Sequence, residues 1–67
     1  KLQEWLRLSR KGDSIEYFRG VLPVARERDE HVDKLAAAAL LASQLKFVRL
    51  VQKKHAAYDY SYIMVRR

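Results

Sequence analysis

The sequence predicts a small α+β domain in which two helices accompany a three-stranded antiparallel sheet, in the order helix, strand, helix, strand, strand. Apolar residues recur at helical spacing in two segments and alternate with polar residues in three others. Hydrophobic residues make up 49% of the 67 residues, which argues against a disordered chain. We therefore expect residues 1–67 to form one domain. The chain begins at Lys1 rather than Met, which is compatible with a fragment of a longer protein.

The first segment, Lys1–Arg10, has the pattern of a short amphipathic helix. Leu2, Trp5 and Leu6 share one side at spacings of three and four residues. Gly12 is suited to the left-handed conformation that closes a helix. We interpret Trp5 as a core residue, with a ligand-stacking tryptophan as the alternative.

The second segment, Ser14–Val24, alternates as a strand does. Its two sides predict that Tyr17 and Arg19 point the same way. Gly20 predicts a bulge or the close approach of another backbone segment, and Pro23 is expected to end regular pairing.

From Asp29 the period changes to that of a helix, and this helix is rich in alanine. Four acidic residues crowd its beginning, where negative charge complements the helix dipole: Glu27, Asp29, Glu30 and Asp33. These acids and His31 could also be considered as metal ligands or catalytic groups. We favour the electrostatic explanation, because no second ligand cluster or convergent nucleophile is visible, and we predict no metal site and no cofactor.

The last third of the chain predicts a basic, tyrosine-bearing β-hairpin formed by residues 47–55 and 58–67. We expect one face of the hairpin to pack on the alanine-rich helix through Val48, Leu50, Ile63 and Val65. The opposite face is then expected to carry Arg49, Lys53, Tyr60 and Tyr62, joined by Tyr17 and Arg19 of the first strand. Such a surface can stack single-stranded bases and neutralise phosphates.

The charge of the chain favours a polyanionic partner. Fourteen Lys and Arg residues against eight Asp and Glu residues give a formal net charge of +6. We predict a nucleic-acid-binding domain, with DNA and RNA both open, that makes mainly phosphate contacts. The candidate binding residues are Arg19, Arg49, Lys53, Lys54, His55, Tyr60, Tyr62, Arg66 and Arg67.

Two other uses of the same face remain open. Tyrosines paired with cations also stabilise a solvated sheet, and the first helix could cover the tyrosines and make them part of the core. Alternatively the face could bind a protein or a second copy of the chain, since Phe47, Val51 and Met64 are expected on the side of the tyrosines.

The segment Asp29–Arg67, a helix followed by a basic hairpin, resembles the second half of a winged-helix DNA-binding domain. The resemblance implies that Lys53, Lys54 and His55 lie at the wing. Winged-helix proteins usually have a further helix before the recognition helix, and only Pro23–Arg28 is available for it here. An alanine-rich helix with an acidic beginning also departs from the polar or basic surface of a groove-reading helix.

The sequence carries no enzyme motif, and we predict that the protein is not an enzyme. It has no glycine-rich phosphate loop, no zinc-type His and Cys spacing and no recognisable nucleophile arrangement. No apolar run is long enough for a membrane helix and the sequence shows no signal-peptide pattern, so we expect no membrane partner. The absence of Cys fits a reducing compartment, and a cytoplasmic location is expected.

Overall fold

Three helices and one antiparallel sheet make up the computed structural model, which describes residues 2–67. In chain order the elements are α1 (Leu2–Leu8), β1 (Ser14–Gly20), α2 (Leu22–Arg28), α3 (Glu30–Gln44), β2 (Val48–Ala56) and β3 (Asp59–Arg66). The predicted α+β class and three-stranded antiparallel sheet are confirmed, and the structure adds α2 to the two expected helices. No helix in this part of the chain is long and apolar enough to cross a lipid bilayer.

The additional helix, α2, includes the last residues of the segment Ser14–Val24, which the alternation predicted to be a strand. Strand pairing stops at Gly20, and Pro23 lies in the first turn of α2, where a residue without an N–H group costs the helix nothing. Only Asp29 separates α2 from α3, and its carboxylate accepts a hydrogen bond from the backbone N–H of His31 at 2.9 Å. The segment from Pro23 to Arg28, where the winged-helix pattern places an extra helix, is therefore helical.

The third helix, α3, packs against the sheet through its small residues. Ala36, Ala39 and Ala42 are buried, and alanine lets the helix approach the strands closely. Ala39 and Ala42 join Val48 and Met64 in the core, and Leu2, Trp5 and Leu6 of α1 pack against that cluster. Trp5 is thus partly buried and packs against the core, as its helical neighbours indicated.

In the sheet, β3 lies between β1 and β2 and pairs antiparallel with both. Leu50 lies opposite Met64, and Arg49 lies opposite Val65. The pairing of β1 with β3 shifts by one residue between Glu16 and Phe18, so Tyr17 is the extra residue of a β-bulge. Because a bulge moves the alternation by one position, Arg19 does not share a side with Tyr17, and the prediction that the two point together is wrong.

The core face of β3 is the one that carries Met64, whose side chain is 0% exposed. Val48 and Leu50 face the helices as predicted. Ile63 and Val65 alternate with Met64 and lie on the other side, so their predicted position in the core is wrong. Alternation divides the residues of β3 between two faces. Met64 is paired with Leu50, which faces the helices, so the face that carries Met64 is the buried one.

Candidate nucleic-acid interface

The sheet has a side that faces away from α3, which we call the open sheet face. Residues that are paired across a sheet point to the same side. Three rows of side chains therefore cross this face, and each row contains one residue from each strand. From one end to the other the rows are Ser14, Val65 and Arg49; Glu16, Ile63 and Val51; and Arg19, Ser61 and Lys53. Arg49 and Lys53 therefore mark the two ends of the β2 edge, and the row between them combines Ile63 and Val51 with the carboxylate of Glu16.

Three tyrosines, Tyr17, Tyr60 and Tyr62, are not on this face. Tyr62 is 8% exposed, and its ring lies against those of Tyr17, Phe18 and Tyr60, at centroid distances of 6.4, 6.0 and 6.3 Å. Tyr60 is half-buried and shares the α3 side of the sheet with Tyr62. The prediction that Tyr60 and Tyr62 form one surface with Arg49 and Lys53 is therefore wrong, and the aromatic rings contribute to packing instead.

Burial also affects the acidity of Tyr17. Burial of the phenol raises the pKa of Tyr17, and the neighbouring Tyr62 raises it further, while Arg26 acts in the opposite direction. The hydroxyl of Tyr17 therefore stays neutral at neutral pH. Its contribution is a packed ring and not a charge.

The cations of β2 are exposed and lie on both sides of the strand. Lys53 is on the open sheet face, opposite Ser61, whereas Lys54 is on the other side, opposite Tyr60. Neither lysine takes part in an ion pair among residues 2–67, and Arg49 takes part in none either. The hairpin thus carries positive charge that the described part of the protein does not neutralise.

Arg19 forms an ion pair with a carboxylate of the protein itself. Its Nε and Nη2 atoms donate hydrogen bonds to the two carboxylate oxygens of Asp59, at 2.6 and 3.0 Å. The hydrogen bonds from Arg19 hold the pKa of Asp59 below its usual value, and those to Asp59 raise the pKa of Arg19. This pair leaves Arg19 with little free charge for a phosphate.

His55 lies at a bulge near the hairpin turn and is tied to the open sheet face. Its Nε2 atom is 2.7 Å from Oγ of Ser61, and that hydroxyl donates to Oε2 of Glu16 at 3.0 Å. The carboxylate therefore binds the serine and not the imidazole, so this network does not have the order of a nucleophile, base and orienting acid. Ser61 is buried, and we assign the network a structural role.

Arg66 has an intramolecular role. Its Nη1 donates to the backbone carbonyl of Phe47 at 2.8 Å, and its guanidinium lies 5.7 Å from the centroid of the Phe47 ring. Arg67, by contrast, is exposed at the end of the chain. Of the two terminal arginines proposed from the sequence, only Arg67 has a side chain without such contacts.

A basic groove lies at the end of the open sheet face that carries Arg49. It has a volume of about 430 Å³ and is lined by Lys11, Gly12, Arg49, Val65, Arg66 and Arg67. Lys11 is not among the binding residues predicted from the sequence, because nothing next to it in the chain, after the first helix, indicates a role in binding. Pairing of Ser14 with Val65 places the turn before β1 beside the end of β3, and this pairing is the signal that would have identified it.

A second surface feature is apolar. Leu41 and Leu45 are 55% and 57% exposed, and with Phe47 they line a groove of about 150 Å³ between α1 and α3. Exposed leucines on α3 make its outer surface unlike the polar surface of a groove-reading helix. The helix therefore contributes an apolar face rather than a basic one.

Within residues 2–67 no three His, Cys, Asp or Glu side chains come close enough to hold a metal ion. The comparisons with known proteins give no family for the chain. No protein-family model, no curated protein and no solved structure matches it, and the winged-helix resemblance is not confirmed.

Proposed function

We propose that the protein binds nucleic acid through its β2–β3 hairpin, mainly by contacts to the phosphate backbone. One observation carries this proposal. The three ion pairs among residues 2–67 use Arg19, Arg26 and Lys34, and they leave the cations of β2 without a carboxylate partner. Uncompensated, exposed positive charge attracts a polyanion, and binding is favoured because the cations of the protein release the counterions condensed on the phosphates.

The position of the aromatic rings supports backbone contacts over base recognition. Tyr62 is buried and Tyr60 is half-buried, so neither ring is free to stack on a base at the open sheet face. Lysine is a flexible point charge, suited to a phosphate whose exact position varies. The proposed binding is therefore independent of sequence, and DNA and RNA remain alternatives that the experiment separates.

The proposal is tested by fluorescence anisotropy with mixed-sequence duplex DNA, single-stranded DNA and RNA, each over a series of salt concentrations. We expect the logarithm of the affinity to fall linearly with the logarithm of the salt concentration, with a slope of about 0.9 for each duplex phosphate neutralised. Joint Lys53→Ala and Lys54→Ala substitution is expected to reduce that slope on duplex DNA by about 2.

The matched control removes the same charge from the helices. Arg7→Ala with Arg28→Ala takes two exposed cations from α1 and α2, and we expect the slope to change by less than in the lysine variant. Equal losses in the two double variants would mean that net charge alone controls binding. Absence of binding at low salt would reject the proposal.

A second candidate function is homodimerisation through the apolar face formed by Leu41, Leu45 and Phe47. The specific observation is the exposure of these three large side chains around one groove. A second copy of the chain would bury the same patch from both sides and enlarge a core that is small in a 67-residue domain. Sedimentation equilibrium tests it, and a monomer at all concentrations rejects it.

A further inference from the structure

We propose that the basic groove is a binding site for a phosphate group, either a terminal monoester or a backbone diester. This inference deepens the proposed function, because it assigns the hairpin a fixed phosphate position at the end away from Lys53 and Lys54. The site consists of the side chains of Lys11, Arg49 and Arg67, none of which belongs to an ion pair in the described residues.

The charges in the groove come from separate parts of the chain. Lys11 is in the turn between α1 and β1, Arg49 is in β2, and Arg67 follows β3. No acidic residue lines the groove. Three cations around one groove favour an anion there, and phosphate is an anion that Lys and Arg bind through charge-assisted hydrogen bonds.

Backbone hydrogen bonds hold the three segments together. The N–H of Gly12 donates to the carbonyl of Arg66 at 2.9 Å, and the N–H of Arg66 donates to the carbonyl of Asp13 at 2.7 Å. The N–H of Arg67 donates to the carbonyl of Phe47 at 3.0 Å, next to the start of β2. The backbone of the site is therefore formed before the ligand arrives, which reduces the ordering cost of binding.

Two neighbouring charged groups are turned to other partners. The guanidinium of Arg66 contacts the carbonyl and ring of Phe47. Arg66 therefore lines the groove, but its charged group is engaged with Phe47. The carboxylate of Asp13 accepts a hydrogen bond from the backbone N–H of Arg10 at 2.9 Å. Gly12 has a φ of 93°, which favours glycine. Because glycine has no side chain, it does not obstruct the groove at this position.

The groove also continues onto the open sheet face. Arg49 and Lys53 are four residues apart on the same side of β2, a distance of about 13 Å along a strand. A phosphate in the groove and a phosphate at Lys53 can thus belong to one nucleic-acid strand.

The direct test uses inorganic phosphate and the ¹⁵N-labelled protein in an NMR titration, with sodium chloride at matched ionic strength as the control. We expect saturable shifts in the amides of residues 11–13, 49 and 65–67 that chloride does not produce. Lys11→Ala with Arg67→Ala is expected to weaken phosphate binding about tenfold. Shifts spread equally over Lys34, Lys46 and Lys54, or no loss of affinity in this double variant, would overturn the proposal.

Oligonucleotides then identify the source of the phosphate. A 5′-phosphorylated strand that binds more tightly than its 5′-hydroxyl counterpart, with the difference lost in Lys11→Ala with Arg67→Ala, indicates a terminal monoester. Equal binding of the two strands, weakened by the same variant, indicates a backbone diester. Binding of inorganic phosphate without any oligonucleotide binding supports the groove as a free-phosphate site and rejects the proposed function. Oligonucleotide binding that depends on Lys53 and Lys54 but is unchanged in the groove variant supports the proposed function and rejects the groove.

Discussion

The hydroxyl of Tyr62 accepts a hydrogen bond from the backbone N–H of Leu22 at 3.1 Å. Tyr62 is in the middle of β3, and Leu22 is the first residue of α2, so the bond joins the central strand to the start of a helix. The first N–H groups of a helix have no partner within the helix, and no side chain caps α2 at Val21. Tyr62 therefore satisfies a donor that the helix itself cannot.

Removal of this hydroxyl is expected to destabilise the protein. Tyr62→Phe keeps the packed ring and leaves the N–H of Leu22 without its partner, which costs about 1–2 kcal/mol in the free energy of unfolding. Urea denaturation followed by circular dichroism measures it. Tyr58→Phe is the matched control, because Tyr58 is 83% exposed, and we expect it to leave the stability unchanged. Equal stability of the two variants would contradict the assigned role of the hydrogen bond.

Truncation of neighbouring residues in β3 tests which face is buried. Met64→Ala removes a fully buried side chain next to Ala39 and is expected to cost about 2–5 kcal/mol, enough to unfold much of the population of such a small domain. Ile63→Ala, on the open sheet face, is expected to cost clearly less. Thermal denaturation of both variants measures the difference. A larger loss for Ile63→Ala would place the open side of β3 in the core.

The ion pair between Arg19 and Asp59 makes stability depend on pH in the acidic range. Since folding lowers the pKa of Asp59 from its ordinary 3.8, the pair stabilises the folded state above that value and loses its contribution as the pH falls through the lowered pKa. We expect Asp59→Asn to be less stable than the parent protein at pH 7 and to approach it as the pH is lowered to about 2. Denaturation curves across this pH range measure the difference in stability between the two proteins. A difference that grows as the pH falls would contradict the prediction.

The same substitution is expected to strengthen nucleic-acid binding. Asp59→Asn leaves the charge of Arg19 without its carboxylate, on the face that also carries Lys53. Affinity for duplex DNA at low salt should rise, and the salt dependence should steepen by about one phosphate equivalent. Asp33→Asn, which frees Arg26 between α2 and α3, is the matched control. If both variants gain equally, the gain reflects net charge and not the open sheet face.

Sequence patterns located most of the secondary structure because each depends on near neighbours. Leu2, Trp5 and Leu6 predicted α1, and the acids and alanines after Asp29 predicted α3. The alternation does not reveal α2, because Pro23 ends strand pairing and is equally suited to the first turn of a helix. A seven-residue helix is also too short for its periodicity to stand out.

The candidate site was predicted less completely. The exposure of Arg49, Lys53 and Lys54 follows from their charge, and the structure agrees. The pairing of Arg19 with Asp59, 40 residues away along the chain, follows from no local pattern. Lys11 was missed for the same reason, since its neighbours in the groove come from β2 and from the end of the chain.

Composition and short-range order were enough to predict the α+β class, the strand segments of the hairpin and the net charge of +6. Which side of β3 is buried depends on long-range packing, and Met64 and Tyr62 face the core while Ile63 and Val65 face away. Alternation with a period of two is unchanged when the faces are exchanged, so strand register must make that choice in β3, and the bulge at Tyr17 changes it within β1. Register also decided which cations are neutralised and which meet at the basic groove, because both depend on residues distant in the chain.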